Sequence, residues 1–435
     1  MATALDEILI SSARKDFAEQ IHALRRRLIE AAMFELDSPE YDTALNIVRD
    51  VAARGDKALI ELTEKHDGVK LTPDTLKVSR QDLKTAHDEI DPKLLASLRQ
   101  AIANVRKYQS EIFIGKPNTH PGIKYTPIRR VGVCVPGASA PLPSTVIMTV
   151  VPAQVAGVEQ IVVVSPPRYK GSIHPVILAV CHELGIEEVY RVGGAQAVAA
   201  MACGAETIPK VDKIVGPGNR WVQTAKKLVL GYVGIDSIAG PSEVLIIADK
   251  NANPAWVAAD MLSQAEHNPG SAVVATDSQD LADKTLAALK DQAAQLSRAK
   301  DTIQSLRADS RIVVFDSLDK AVDFANDFAP EHLQIQCGPH SERVAGKIQN
   351  AGAIFIGPYS PVAVGDYWAG PSHTLPTGAA ARSFSALSSN DFVKSSSIIA
   401  YDKARLLESA DDIIRLAMTE GLDAHAKSVD IRRQN

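Results

Sequence analysis

The chain has 435 residues, 46% of them hydrophobic, and a formal net charge of −5. That length suits two or three domains with large buried cores, and the mixed, slightly acidic charge argues against nucleic acid or an anionic membrane as main partner. Four scattered cysteines without a C-x-x-C pair, Cys134, Cys181, Cys203 and Cys337, argue against a disulfide framework or a cysteine-rich zinc site and fit a reducing cytoplasm.

No basic-then-apolar leader is read at the start, and the most apolar stretch, 144–158, is too short for a bilayer span and contains Pro152. The first hundred residues read as helical, with apolar residues at helical spacing over 44–62 and 94–108. From Val131 the pattern changes. Short β-rich runs at 131–135, 160–164, 188–192, 213–215 and 244–247 alternate with helical segments, and a second series follows at 272–275, 311–315, 332–337 and 353–356. This predicts an α/β fold with mostly parallel sheets in two domains, then a helical tail from about Lys403.

Several strands are expected to end in tight loops: Pro136-Gly137, Gly193-Gly194-Ala195-Gln196, Gly216-Pro217-Gly218-Asn219 and Ala239-Gly240-Pro241-Ser242. Ligands of open α/β sheets sit at the carboxyl ends of strands, on such loops. No G-x-G-x-x-G follows a strand, because Trp221 occupies the last glycine position after Gly216-x-Gly218. A dinucleotide would therefore bind without the standard phosphate turn.

Four segments carry donor chemistry. In the first, Pro254 starts a helix expected through Glu266, ended by Asn268-Pro269-Gly270, with Gln264 and His267 on one face. An amide oxygen and a neutral imidazole are half of a possible metal site. In the second, Glu331 and His332 sit where a helical pattern over 321–328 meets an alternating strand. They read either as an acid–base pair or as two solvated loop residues. In the third, a Gly-, Pro- and Ser-rich loop offers Asp366 and His373, the former an oxygen ligand or a turn residue bonding its own backbone. In the last, Gly421 ends a helix over 411–420, and His425 is a solvated tail residue or a ligand. Gln264, His267, Asp366 and His425 make an N/O set that favours zinc or another transition ion over magnesium or calcium.

These segments together resemble the histidinol dehydrogenase family. The stretch from Ile235 to His267 carries the resemblance most strongly, and Pro330-Glu331-His332-Leu333, Gly365-Asp366-Tyr367 and Glu420-Gly421-Leu422-x-Ala424-His425 follow in the family's order. The resemblance implies two Rossmann-like domains of incomplete dinucleotide-binding type, one over 28–133 and 242–387, the other over 134–241. It also implies small extensions at 1–27 and 388–435 in an intertwined homodimer with shared active sites. It implies an NAD- and zinc-dependent oxidation of L-histidinol, through L-histidinaldehyde, to L-histidine, the last steps of histidine biosynthesis.

By the same resemblance Gln264, His267, Asp366 and His425 bind zinc, and Ser242, Gln264, His267, His332, Asp366, His373, Glu420 and His425 meet the substrate. Glu331 and His332 are catalytic, and NAD meets Gln196, Asn219 and the residue at 134. The last is a departure, since Cys134 stands where the family usually has tyrosine, and Ser372 stands where asparagine is common. The alternatives are a paralogous dehydrogenase acting on another polar alcohol, a zinc hydrolase with Glu331 as base, and a non-catalytic binding protein. Cys134 favours the paralogue; Glu420 and His425, suited to an amine and an imidazole, argue against it.

Overall fold

The computed structural model describes residues 2–32, 39–116, 122–137, 141–238, 240–267 and 270–433. Asn268 and Pro269, expected to end the helix from Pro254, and Ala239 of the loop before Ser242 lie outside them. The chain forms two compact units. The larger comprises Met1–Ile114 and Pro127–Val393, the smaller Gly115–Thr126 and Lys394–Asn435.

The larger unit carries two parallel sheets. One has six strands, in the spatial order Leu9–Ser11, Arg311–Val314, Gly270–Thr276, Ser242–Ala248, His332–Gln336 and Ala353–Ile356. The other has five, in the order Glu188–Arg191, Gln160–Ser165, Arg130–Cys134, Lys213–Val215 and Gly234–Ile235. Strand side chains alternate between faces, so a strand apolar on both sides is buried on both. Val244 and Ile246 pack into a core with Met261 and Leu286, while Leu245 and Ile247 pack on the other face with Phe324 and Phe328. In the five-stranded sheet Val131, Val133 and Val163 face a core with Val150 and Ile177, and Val162, Val164 and Ile214 face Val198 and Ile47.

The expected strands all form, with ends shifted by a residue or two. Three strand features stand outside the expectation. Leu9–Ser11, in the stretch read as helical, edges the six-stranded sheet, Gly234–Ile235 edges the five-stranded one, and Ile123–Pro127 pairs with Val393–Ser397. The single helical pattern over 44–62 is two helices, Pro39–Arg54 and Asp56–Asp67, because Gly55 between them takes φ +54°. Residues 39–112, grouped by expectation with the six-stranded sheet, pack on the five-stranded one through Ile47, Val51, Leu59 and Leu83.

Strand order in the five-stranded sheet reverses between Arg130–Cys134 and Lys213–Val215, which makes their carboxyl ends a binding crevice. Gly216 follows the second strand with φ +104°, and a Cβ there would lie 2.4 Å from the Cys134 carbonyl oxygen. The two loops approach that closely only because this residue is glycine.

In the smaller unit the helices Lys403–Thr419 and Asp423–Asp430 pack together through Ala410, Ala417 and Ala426. The turn between them uses Gly421 at φ +73°, as expected for a residue that ends a helix.

Gly216→Ala should destabilise the protein by at least about 2 kcal/mol, through strain plus the clash. Gly68, also left-handed at φ +70° but with no atom within 4 Å, should lose about 1 kcal/mol on the same change. Denaturant unfolding of both variants checks this; equal losses would contradict the close approach.

Candidate active site

The parallel register places His332 opposite Val244, so Ser242 and Glu243 lie beside Glu331 at the amino ends of their strands. Ala329 ends the preceding helix in a left-handed turn at φ 52°, and Pro330 leads directly into Glu331. Sequence alone leaves Glu331 and His332 either paired or solvated; the structure buries both and brings them together. Glu331 is 7% exposed and His332 4%.

His332 Nδ1 lies 2.9 Å from the Glu243 carbonyl oxygen. A carbonyl only accepts, so Nδ1 carries the proton and Nε2 the lone pair. Nε2 is buried without a hydrogen-bond partner, 4.0 Å from Asp366 Oδ1. Burial pulls the imidazole below its ordinary pKa, which keeps it neutral and basic at Nε2. Glu331 Oε2 accepts from Ser242 Oγ at 2.7 Å and from the Glu243 amide at 2.9 Å, and stands 3.4 Å from His332 Nδ1. Burial pushes the Glu331 carboxyl up to about 8, against the pull of those two hydrogen bonds.

A cleft of about 880 Å³ opens over this pair. Its walls include Ser242, His267, Glu331, His332, Asp366 and His373, and also Gly216, Pro217 and Gly218 from the five-stranded sheet. The cleft thus joins the amino ends of one sheet to the carboxyl ends of the other. The loops at 136–137, 193–196 and 216–219 follow the carboxyl ends of strands, and the loop ending at Ser242 runs from the carboxyl end of Gly234–Ile235 to the amino end of Ser242–Ala248.

The helix from Pro254 ends at Ala265, not at Glu266, and His267 lies beyond the cap. Gln264 and His267 therefore do not share a helical face. The His267 amide turns back to the Gln264 carbonyl at 3.3 Å. The following strand passes close by, since a Cβ on Gly270 would lie 2.2 Å from the Gln264 oxygen. Asp366, expected on a loop, sits in the short helix Val362–Tyr367. His373 Nδ1 is 3.9 Å from its Oδ1, and burial, with the nearby His332 and His267, pulls His373 down to about 4. His267 is also lowered, by loss of solvent around part of its ring and by His332, although its side chain still opens to solvent. Ser372 anchors this segment by donating to the Met148 carbonyl oxygen at 3.0 Å.

Zinc suits this donor set in chemistry. Neutral imidazoles and a carboxylate are good ligands, and the buried Nε2 atoms of His332 and His373 lack partners, as at a place that a ligand, ion or water completes. The set is incomplete within the larger unit. Among the described residues no three His, Cys, Asp or Glu side chains could hold a metal. His425, the fourth candidate ligand, and Glu420 belong to the smaller unit, where both are exposed.

The residues expected to meet NAD gather at the reversal point of the five-stranded sheet. Cys134, Gly137, Gly193, Gly194, Gly218 and Asn219 line a cleft of about 850 Å³, and Gln196, Asn219 and Trp221 line the neighbouring one. Asn219 Oδ1 caps the helix Arg220–Val229 through the amides of Trp221 and Val222. Cys134 is buried and its thiol is pushed up to about 12, so it is an unreactive filler there.

Sequence reasoning missed Glu243, Lys226 and Asp236. Glu243, a charged residue in an otherwise apolar strand run, could have been suspected as buried. Lys226 gives no such signal on an amphipathic helix, yet it is 1% exposed and paired with Asp236. The pair holds Gly216 from both sides: Lys226 Nζ donates to its carbonyl oxygen at 3.1 Å, and its amide donates to Asp236 Oδ2 at 2.7 Å.

Two parallel sheets with reversed strand order, and a buried His–Glu pair in the cleft joining them, are the frame and cleft of an α/β enzyme. The family model described as histidinol dehydrogenase matches residues 35–433. Histidinol dehydrogenases of Rhodopirellula baltica and a Synechococcus species are each 48% identical, the first over 89% of this chain and 85% of its own, the second over 89% and 91%. The crystal structure of histidinol dehydrogenase from Elizabethkingia anophelis superposes with a TM-score of 0.89 at 35% identity, covering 98% of each chain. The chain belongs to the histidinol dehydrogenase family and is an oxidoreductase.

Removing one partner of a buried ion pair leaves an uncompensated charge, at a cost of about 3–5 kcal/mol. Lys226→Met should lose that much stability in urea unfolding. Lys226→Met with Asp236→Asn should recover part of it, and additive losses in the double variant would contradict the pairing.

Proposed function

We propose that this chain oxidises L-histidinol, through L-histidinaldehyde, to L-histidine, the last steps of histidine biosynthesis, with NAD as acceptor in both steps. The observation that carries the reading is the buried His332–Glu331 pair, with His332 Nε2 unpartnered and open to ligand chemistry. Gln264, His267 and Asp366 would hold zinc, with His425 as fourth ligand. When bound, zinc supplies a cationic anchor for the substrate's amine and imidazole, and NAD supplies the hydride acceptor.

His332 does the first proton transfer. Its Nε2 takes the hydroxyl proton as the hydride leaves the alcohol carbon, and the Nδ1 bond to Glu243 keeps the ring aimed and in the right tautomer. Glu331 must be ionised to act as a base, a form that burial opposes and that the Ser242 hydroxyl and the Glu243 amide favour through Oε2. In its ionised form it takes a proton from the water that adds to the aldehyde, while protonated His332 returns its proton to the aldehyde oxygen, giving the diol and freeing Nε2. His332 then accepts a diol proton as the second hydride leaves. Burial of both groups limits escape and side reaction of the aldehyde.

The cofactor would lie across the clefts at the carboxyl ends of the five-stranded sheet, against Cys134, Gln196 and Asn219. Asn219 would meet it through Nδ2, since Oδ1 is committed to the helix cap. Ser242 and His373 line the substrate cleft. Glu420 and His425 would come from a second copy of the chain in a homodimer with shared sites. The large apolar side chains that the smaller unit leaves exposed, Leu416, Met418, Leu422 and Ile431, support this. All four cysteines are free thiols, in keeping with a cytoplasmic enzyme, and no described helix is long and apolar enough to cross a membrane.

NADH formation from L-histidinol should disappear on chelation and return with zinc. His332→Asn should abolish both oxidations. Glu331→Gln should spare alcohol oxidation relative to aldehyde oxidation by about a hundredfold. Each is read with L-histidinol and L-histidinaldehyde as separate substrates. Equal loss of both steps in Glu331→Gln would refute the division of roles.

A further inference from the structure

Glu243 is 4% exposed behind Ser242, and its contacts divide cleanly between main chain and side chain. Its main-chain oxygen receives His332 Nδ1–H at 2.9 Å, and its amide donates to Glu331 Oε2 at 2.9 Å. Its carboxylate does something else. Oε1 accepts the Glu331 amide at 3.2 Å and the Gly378 amide at 3.1 Å. The segment it reaches is itself fixed, because the Gly240 amide donates to Thr377 Oγ1. One buried carboxyl thus ties the peptide of Glu331 to the Thr377–Gly378 wall of the cleft. A buried carboxyl is costly to desolvate. Burial and the neighbouring Glu331 push Glu243 up to about 8, so a shorter or apolar residue would serve packing at lower cost.

We infer that the Glu243 carboxyl is a positioning residue for Glu331, and through it for the hydration of the aldehyde. This rests on the role given to Glu331 above. The division of contacts makes a specific demand. Every residue at this position keeps the carbonyl that aims His332 and the amide that meets Glu331 Oε2. Of the groups Glu243 offers, only the carboxyl reaches the Glu331 amide, whose own carbonyl oxygen is held separately by the Ala353 amide at 2.9 Å. Loss of the side chain therefore loosens Glu331 and leaves His332 aimed.

The test measures the two oxidations separately in zinc-loaded enzyme, with L-histidinol giving the first NADH and L-histidinaldehyde the second. Glu243→Ala should slow aldehyde oxidation at least about tenfold more than alcohol oxidation, the scale expected when a catalytic group is misplaced by a fraction of an ångström. Glu243→Gln, which keeps an acceptor oxygen at the same reach, should restore the ratio of the two rates. Glu243→Asp keeps the charge and shortens the reach, so it should show the selective loss even if Glu243→Ala does not fold. Equal slowing of both oxidations in the Ala or Asp variant would overturn the inference, as would a Gln variant as defective as Ala. Glu331→Gln is run alongside. If it fails to separate the two steps, the role of Glu331 falls; if it separates them and the Glu243 variants do not, only the inference about Glu243 falls.

Discussion

The parallel pairing of Ser242–Ala248 with His332–Gln336 is the constraint on which the site depends. It brings residues some ninety positions apart into one register, with His332 opposite Val244. That register alone sets Ser242 and the Glu243 amide on the Glu331 carboxylate and the Glu243 carbonyl on the His332 ring. A slip of one residue would turn every side chain of the strand to the other face. The apolar alternation of both strands, buried on two sides, fixes the register with the strength of the whole core.

Around that pairing the protein buries groups that water would otherwise solvate. Desolvation works in opposite senses on Glu331 and His332: it raises the carboxyl and lowers the imidazole. Both shifts favour the neutral forms, and each group is held by hydrogen bonds that specify its orientation. Lys226 and Asp236 solve a parallel problem at the other sheet. There a fully buried ion pair fixes the left-handed Gly216, whose loop lines both the catalytic cleft and the crevice at the strand-order reversal. The two sheets thus contribute unlike ends to one cleft, amino ends carrying acid–base chemistry and carboxyl ends carrying glycine loops.

Much of this was legible in the sequence. Two-sided apolar runs such as 160–164 and 244–247 announce buried parallel strands, and the glycine loops after 135, 192 and 215 announce their carboxyl ends. The Pro-bounded junction at Glu331 and His332 showed that both could reach one place. Other features were not legible for physical reasons. Gly55 reads as a weak helical position until its positive φ is seen. The close approach of Gly270 to the Gln264 carbonyl is a tertiary contact no periodicity encodes. Asp366 lies in a helix too short to impose a pattern. The buried Lys226 looks like any solvated lysine, and Glu243 was passed over beside the more conspicuous Ser242.

The central claim is that one buried His–Glu pair carries a four-electron oxidation without releasing the aldehyde. The most direct measurement is the amount of NADH formed from limiting L-histidinol by the zinc-loaded protein, with an aldehyde trap present throughout. The account predicts two NADH per histidinol, L-histidine as product and no trapped aldehyde. One NADH per histidinol with the aldehyde in the trap would contradict it.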